Sequence, residues 1–155
     1  MPNEKPGYEL PLLLFGGFRA LIDELHAQLR DQGHADLRPV HGFAMQAIGA
    51  DGATASEVGR RLGVSKQAAG KTIDQLERLG YVARSIDERD SRRKRVVLTD
   101  TGIDMLRRSA EIFDDLRRRW ARTIGAERLA ALEDDLSKVV GAHAYRLDAQ
   151  AWLGS

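Results

Sequence analysis

TASEVGRRLGVSKQAAGKTIDQLERLGYVARSIDERDSRRKRVVL, residues 54–98, carries two short helical periods about a glycine turn, then two β-rich runs about a polar stretch. Thr54 stands three residues before Glu57, the capping-box spacing in which each side chain satisfies the other's exposed backbone N–H, and this predicts a helix from Thr54 to Leu62. Gly63-Val64-Ser65 breaks it. Ser65 is suited to cap a second helix whose apolar face is Ala69, Ile73, Leu76 and Leu79, ended by Gly80. Two helices about a tight, glycine-containing turn are a helix-turn-helix. Beyond Gly80 the period changes from helical to alternating. Tyr81-Val82 and Ile86 predict one strand, Val96-Val97-Leu98 a second, and the polar residues Asp87 to Arg95 the hairpin tip between them. Such a hairpin would form a wing.

Outward from this centre the chain is helical. Leu14, Phe18, Leu21, Ile22, Leu25 and Leu29 recur at helical spacing, with Asp23, Glu24, Gln28 and Arg30 opposite, and Gly33 is the stop. Pro39, suited to a first helical turn, opens a second helix to about Ile48, and Asp51-Gly52 is the break before Thr54. After the wing, Thr99 restarts helix through Ile103, Leu106, Ala110, Phe113, Trp120 and Ile124 to Gly125. A last helix carries Leu129, Leu132, Leu136, Val139, Val140, His143 and Leu147. The expected fold class is mainly α (α+β), a single chain of residues 1–155. A winged helix-turn-helix at 38–98 would lie between helical regions at 8–33 and 103–153.

Composition narrows the function classes. The chain has no cysteine, which excludes disulfides, thiolate catalysis and cysteine-ligated zinc, and favours a reducing compartment. The apolar stretch Pro11 to Phe18 approaches the length of a signal-peptide core. Glu4 and Glu9 precede it with only Lys5 basic, Arg19 ends it, and no small-x-small cleavage site follows. No run reaches the roughly 18 apolar residues of a membrane span. A cytoplasmic protein without a membrane partner is expected. The net charge of +1 is unevenly spread: Thr54 to Arg95 holds eleven basic and six acidic residues, +5, which leaves −4 for the remainder. A basic centre between acidic ends suits a protein that turns one face to a polyanion.

The wing run Asp87-Glu88-Arg89-Asp90-Ser91-Arg92-Arg93-Lys94, followed by Leu98-Thr99 and Gly102, resembles the D-x-R-D-x-R-x-K and L-T-x-x-G pattern of the MarR family of bacterial transcriptional regulators. Val64 to Ala69 and Ile73 to Val82 resemble that family's recognition helix running into its wing strand. The outer helices match in pattern only. The resemblance implies a winged-helix fold and a DNA-binding regulator, a repressor released by a small aromatic or lipophilic effector.

The physical reading of the same residues agrees. A helix fits the major groove, so Ser65, Lys66, Gln67, Gly70 and Lys71 are the candidate base-edge and phosphate contacts. Gln67 can bond adenine bidentately, and Lys66 and Lys71 suit guanine or phosphate. Gly70 reads either as close backbone approach to DNA or as a neutral surface glycine. In the wing the resemblance places the minor-groove arginine at Arg92. Asp87, Asp90 and Arg89 are expected to brace the hairpin through ion pairs, Arg89 being counted with the DNA-facing set as well. Lys94 and Arg84 are expected to reach phosphates.

Two other motifs fail on inspection. Gly70-Lys71-Thr72 ends like a phosphate-binding loop, but the pattern needs glycine where Ser65 stands. Ser91-x-x-Lys94 lacks the companion motifs of penicillin-recognising enzymes. No nucleophile, base and orienter constellation supports an enzyme, and no cofactor is implied. His26, His34, His41 and His143 lack one-face metal spacing, so no metal site is expected. By the resemblance, an effector cleft would lie where the first, second and fifth helices meet the DNA-binding lobe. Its candidate lining is Phe15, His26, His41, Met45 and Trp120, residues that also read as plain core.

The first and last helices present more apolar surface than a thin lobe can cover, which points to a two-fold homodimer. Its two recognition helices would read half-sites of a pseudo-palindromic operator in double-stranded DNA about 10 base pairs apart. The rival class is a winged-helix module that docks protein and never reads DNA.

Overall fold

A computed structural model describes residues 4–87 and 90–141, the side chains of residues 87 and 90–93 excepted. The elements run α1 (Glu9–Asp31), α2 (Pro39–Ile48), β1 (Ala53–Thr54), α3 (Ala55–Leu62), α4 (Lys66–Arg78), β2 (Val82–Asp87), β3 (Asp90–Leu98), α5 (Asp100–Ile124) and α6 (Ala126–Val140). The predicted fold class holds: a mainly helical chain with a small antiparallel sheet, in winged-helix order.

Local chemistry sets the joints. Thr54 Oγ1 accepts the Glu57 N–H at 3.2 Å and donates to the Glu57 carboxylate at 3.1 Å, which starts α3. Ser65 Oγ accepts the Ala68 N–H at 3.1 Å and starts α4. Between them Gly63 takes φ +72°, the left-handed conformation glycine adopts at least cost. The core runs between these helices and α5, with Met45, Ile48, Val58, Ile73, Leu76, Val96 and Met105 fully buried.

The sheet departs from expectation in two ways. A short strand, β1, joins the hairpin to give the order β1-β3-β2, with Ala53 opposite Val96. The return strand also starts at Asp90 rather than Val96, pairing Ser85 with Arg95 and Ile86 with Lys94, so residues expected in the tip are strand. The physical reason is that a ladder is made by backbone N–H and C=O groups, which polar residues supply as well as apolar ones. A ribbon that leaves the core needs no apolar alternation to be a strand.

The motif Leu98-Thr99-x-x-Gly102 closes the wing onto its own entrance. Thr99 Oγ1 accepts the Gly102 N–H at 3.2 Å and donates to the Gly80 carbonyl at 2.6 Å, while the Thr99 N–H bonds the Tyr81 carbonyl at 3.0 Å. Arg95 does the same for the sheet's other edge. Its guanidinium donates to the Asp51 carbonyl at 2.9 and 3.2 Å and to the Gly52 carbonyl at 3.1 Å.

At the outer end α6 packs on α5, tied by Arg117 and Glu133, and buries Leu129 alone among its side chains. The N-terminal half of α1 is bare: Leu10 is 63%, Leu12 62% and Leu13 62% exposed. His143 and Leu147 lie outside the described residues. No helix among the described residues is long and apolar enough to cross a membrane.

Candidate nucleic-acid interface

Burial divides α4 into two faces. Ala69, Thr72, Ile73 and Leu76 point into the core, while Lys66, Gln67, Lys71, Asp74 and Arg78 are exposed and Gly70 is half-buried. A Cβ on Gly70 would meet nothing within 4 Å, so packing inside this chain does not require glycine there. Lys66 also shares a groove with Lys94 of β3, walled by Thr54, Ala55 and Ser56 at the start of α3 and by Asp74, Glu77 and Arg84. The helix and the ribbon thus present lysines to one concavity.

Arg84 sits differently from the expectation. Its guanidinium spans from β2 to α4, one nitrogen 2.6 Å from Asp74 and the other 2.9 Å from Glu77, so its donors are turned inward onto carboxylates. Asp74 and Glu77, unremarked in the sequence, become the wing's anchor on α4. Arg89 lies outside the described residues, as do the side chains of Asp87, Asp90 and Arg92.

Behind α4 stands His41, buried in α2. Its Nδ1 accepts the Arg38 backbone N–H at 2.9 Å, which leaves the proton on Nε2 to donate to Gln75 Oε1 at 2.9 Å. The ring joins the start of α2 to the middle of α4. Burial is the main force holding His41 below the ordinary imidazole pKa of 6.5, the Gln75 hydrogen bond opposing it and Arg38 adding to it. Burial likewise lowers His26, with Arg30 adding to it. Both groups take up a proton more readily unfolded than folded. Their contribution is therefore complete above about pH 6.5 and is lost as pH falls below that value toward the folded-state values. The urea midpoint is expected to decline between pH 7.5 and 5.5, and to decline less in His41→Gln; a variant with the same slope as the wild type would contradict this.

A second buried imidazole, His34, marks the junction of lobe and outer helices. Tyr81 Oη lies 2.7 Å from its Nδ1 and Asp104 Oδ2 3.2 Å from its Nε2. Arg108 and Arg107 also hold Asp104, at 2.7 and 2.8 Å, and with His34 they keep its carboxyl far below the usual carboxylate range. Nothing in the local sequence signals this network, because its members come from the α1–α2 connection, the wing entrance and α5.

The cleft between α1, α2 and α5 is lined by Leu25, His26, Leu29, Phe43, Gln46, Met105, Leu106, Ser109 and Phe113, among others. Of the five residues proposed from sequence, only His26 lines it. His41 is committed to Arg38 and Gln75, Met45 faces the core, Phe15 lies on the bare half of α1, and Trp120 packs over Gly17. The interior space is about 30 Å³, room for water and not for an aromatic ring. Among the described residues no group of three or more His, Asp or Glu side chains is placed to hold a metal ion.

The MarR family model matches residues 35–93. Among solved structures, Streptococcus pneumoniae FabT in complex with DNA has a TM-score of 0.75 at 21% identity, covering 86% of this chain and 94% of that one. The Staphylococcus aureus MepR–DNA complex has a TM-score of 0.67 at 20% identity over 88% of this chain and 98% of that one. Wild-type apo MarR from E. coli has a TM-score of 0.67 at 22% identity, over 90% of this chain and 100% of that one. No curated protein sequence matches. Residues 35–93 match the MarR family model, and the chain as a whole has the fold of these solved structures.

Proposed function

We propose that this chain is a cytoplasmic transcriptional regulator that binds double-stranded DNA as a homodimer, represses by occupying a promoter, and is released by a small aromatic or lipophilic effector. Residues 38–98 act as the reader, and 8–33 with 103–153 as the dimerisation region. The observation that carries the reading is the groove where Lys66 of α4 meets Lys94 of the ribbon, beside an α4 face bearing Gln67, Gly70 and Lys71. Lysines suit phosphate as point charges, and Gln67 can read a base edge. Ser65, committed as the cap of α4, sits at its leading end. Arg92 is assigned to the minor groove by the resemblance of the motif around it, and Arg89 is counted with the DNA-facing set while also bracing the hairpin. The DNA complexes of FabT and MepR, which share the fold, favour the same use of this one.

The effector would enter the cleft of α1, α2 and α5, whose lining is apolar apart from His26, Gln46 and Ser109. Because the space is water-sized, a ring-bearing ligand would have to move α2 outward. His41 would carry that movement to Gln75 and so to α4. A ligand shifts the equilibrium only by its different affinity for the two arrangements.

A mobility shift with a scrambled competitor, at two salt concentrations, tests DNA reading against protein docking. Sequence-specific retention that weakens with salt is expected; no shift, or one that the competitor removes equally well, rejects the reading. In the same assay, Lys66→Ala/Lys71→Ala is expected to shallow the log–log salt slope by about 2, and Arg92→Ala by about 1. Unchanged slopes would remove these side chains from the contact set.

A further inference from the structure

We infer that Arg84 serves DNA binding by masking Asp74 and Glu77, two carboxylates carried on the reading helix, rather than by touching phosphate. The inference rests on the DNA-binding reading above. Asp74 lies three residues after Lys71 and seven after Gln67, so on a helix of 3.6 residues per turn it shares their stripe. Its side chain is 62% exposed. A bare carboxylate there would face a polyanion, and Glu77 adds a second one on the groove wall.

Arg84 answers both at once. Its two terminal nitrogens reach separate carboxylates, at 2.6 and 2.9 Å, across ten and seven residues of chain. A planar fork with two terminal NH₂ groups can do this, whereas a lysine brings a single ammonium. The same geometry argues against a phosphate contact. Arg84 is 29% exposed, and both terminal nitrogens are engaged on α4 carboxylates, so a phosphate would have to compete with two paired anions for its charge. Pairing lowers the cluster's charge from −2 for the two carboxylates alone to −1, so less negative field opposes Lys66 and Lys71 on the α4 stripe.

The test is a charge-rescue series on duplex obtained by selection from random sequence, read by fluorescence anisotropy at one fixed salt concentration. Arg84→Met should weaken binding by about tenfold, because two carboxylates are exposed to the DNA. Arg84→Met/Asp74→Asn/Glu77→Gln should return to within about threefold of wild type, since the charges needing the mask are gone. Arg84→Lys should fall between wild type and Arg84→Met. A triple variant as weak as Arg84→Met would overturn the inference, for it would mean that Arg84 contacts DNA or that the pairing itself shapes the reader. A wild type that binds no duplex would sink the DNA reading, and this inference with it.

Discussion

Gly102→Ala is expected to lower the free energy of unfolding by about 3 kcal/mol or more, a large share of what a domain of this size has. A Cβ at this position would be driven into the Tyr81 carbonyl oxygen, with the Tyr81 carbonyl carbon at 3.3 Å and Leu98 Cδ2 at 3.5 Å behind it. Relief by movement is blocked because Tyr81 is held from three sides. Its N–H bonds the Leu76 carbonyl at 2.9 Å, its carbonyl takes the Thr99 N–H at 3.0 Å, and its hydroxyl lies 2.7 Å from His34. Any shift of that carbonyl loosens the end of α4, the start of α5 or both. Urea unfolding of the purified protein checks this, and a loss under about 0.5 kcal/mol would show that the junction yields. Gly70→Ala is the control: with open space around its Cβ, it is expected to stabilise α4 by roughly 0.5–1 kcal/mol. A fall in DNA affinity in that stabilised variant would assign Gly70 to close approach, and an unchanged affinity would make it a neutral surface glycine.

Leu13→Glu is expected to convert the protein to a monomer at micromolar concentration and to weaken operator binding by about a hundredfold or more. Leu10, Leu12 and Leu13 are each more than 60% exposed, Phe15 is half exposed, and on α6 Val139 is 80% exposed. Apolar surface on this scale, gathered on two outer helices, marks an interaction face. Covering one such leucine contributes about 1.5–3 kcal/mol, and a buried glutamate in its place would lack a partner. DNA affinity would fall when dimerisation is lost, because each protomer of the proposed dimer would bring one α4 to one half-site, and unlinked half-sites bind independently. Light scattering and anisotropy on the same sample check both halves. A dimeric Leu13→Glu protein would remove this end of α1 from the interface.

The elements built from short-range chemistry were legible in the residues. Thr54, Ser65 and Thr99 each cap a helix through an N–H three residues on, and Gly33, Gly63, Gly80 and Gly125 stand at helix ends with positive φ. The exposed stripe of α4 followed from period alone. The strand boundaries of the wing were less legible, since Asp90 to Arg95 look like loop by hydropathy and pair as strand by backbone. The cleft lining was read poorly, with one of five residues in place, because which side of α2 or α5 meets α1 depends on how the helices cross.

By itself the sequence determined the order of the helices and the hairpin, the helix ends, and the gathering of positive charge at its centre. All of these rest on contacts a few residues long, on periodicity or on composition. Only the tertiary structure decided the partners: Arg84 on Asp74 and Glu77, Arg95 on the Asp51 carbonyl, His41 on Gln75, and His34 between Tyr81 and Asp104. Apart from Arg84, each of these pairings spans 34 to 70 residues. Hydrogen bonding is satisfied by whatever group the packing of apolar faces brings within 3 Å, and one residue's identity does not name that group. The charges at the reading face were therefore visible from the start. Among the described residues, the fold decided that Arg84 and Arg95 are spent inside the molecule while Lys66 and Lys71 stay exposed.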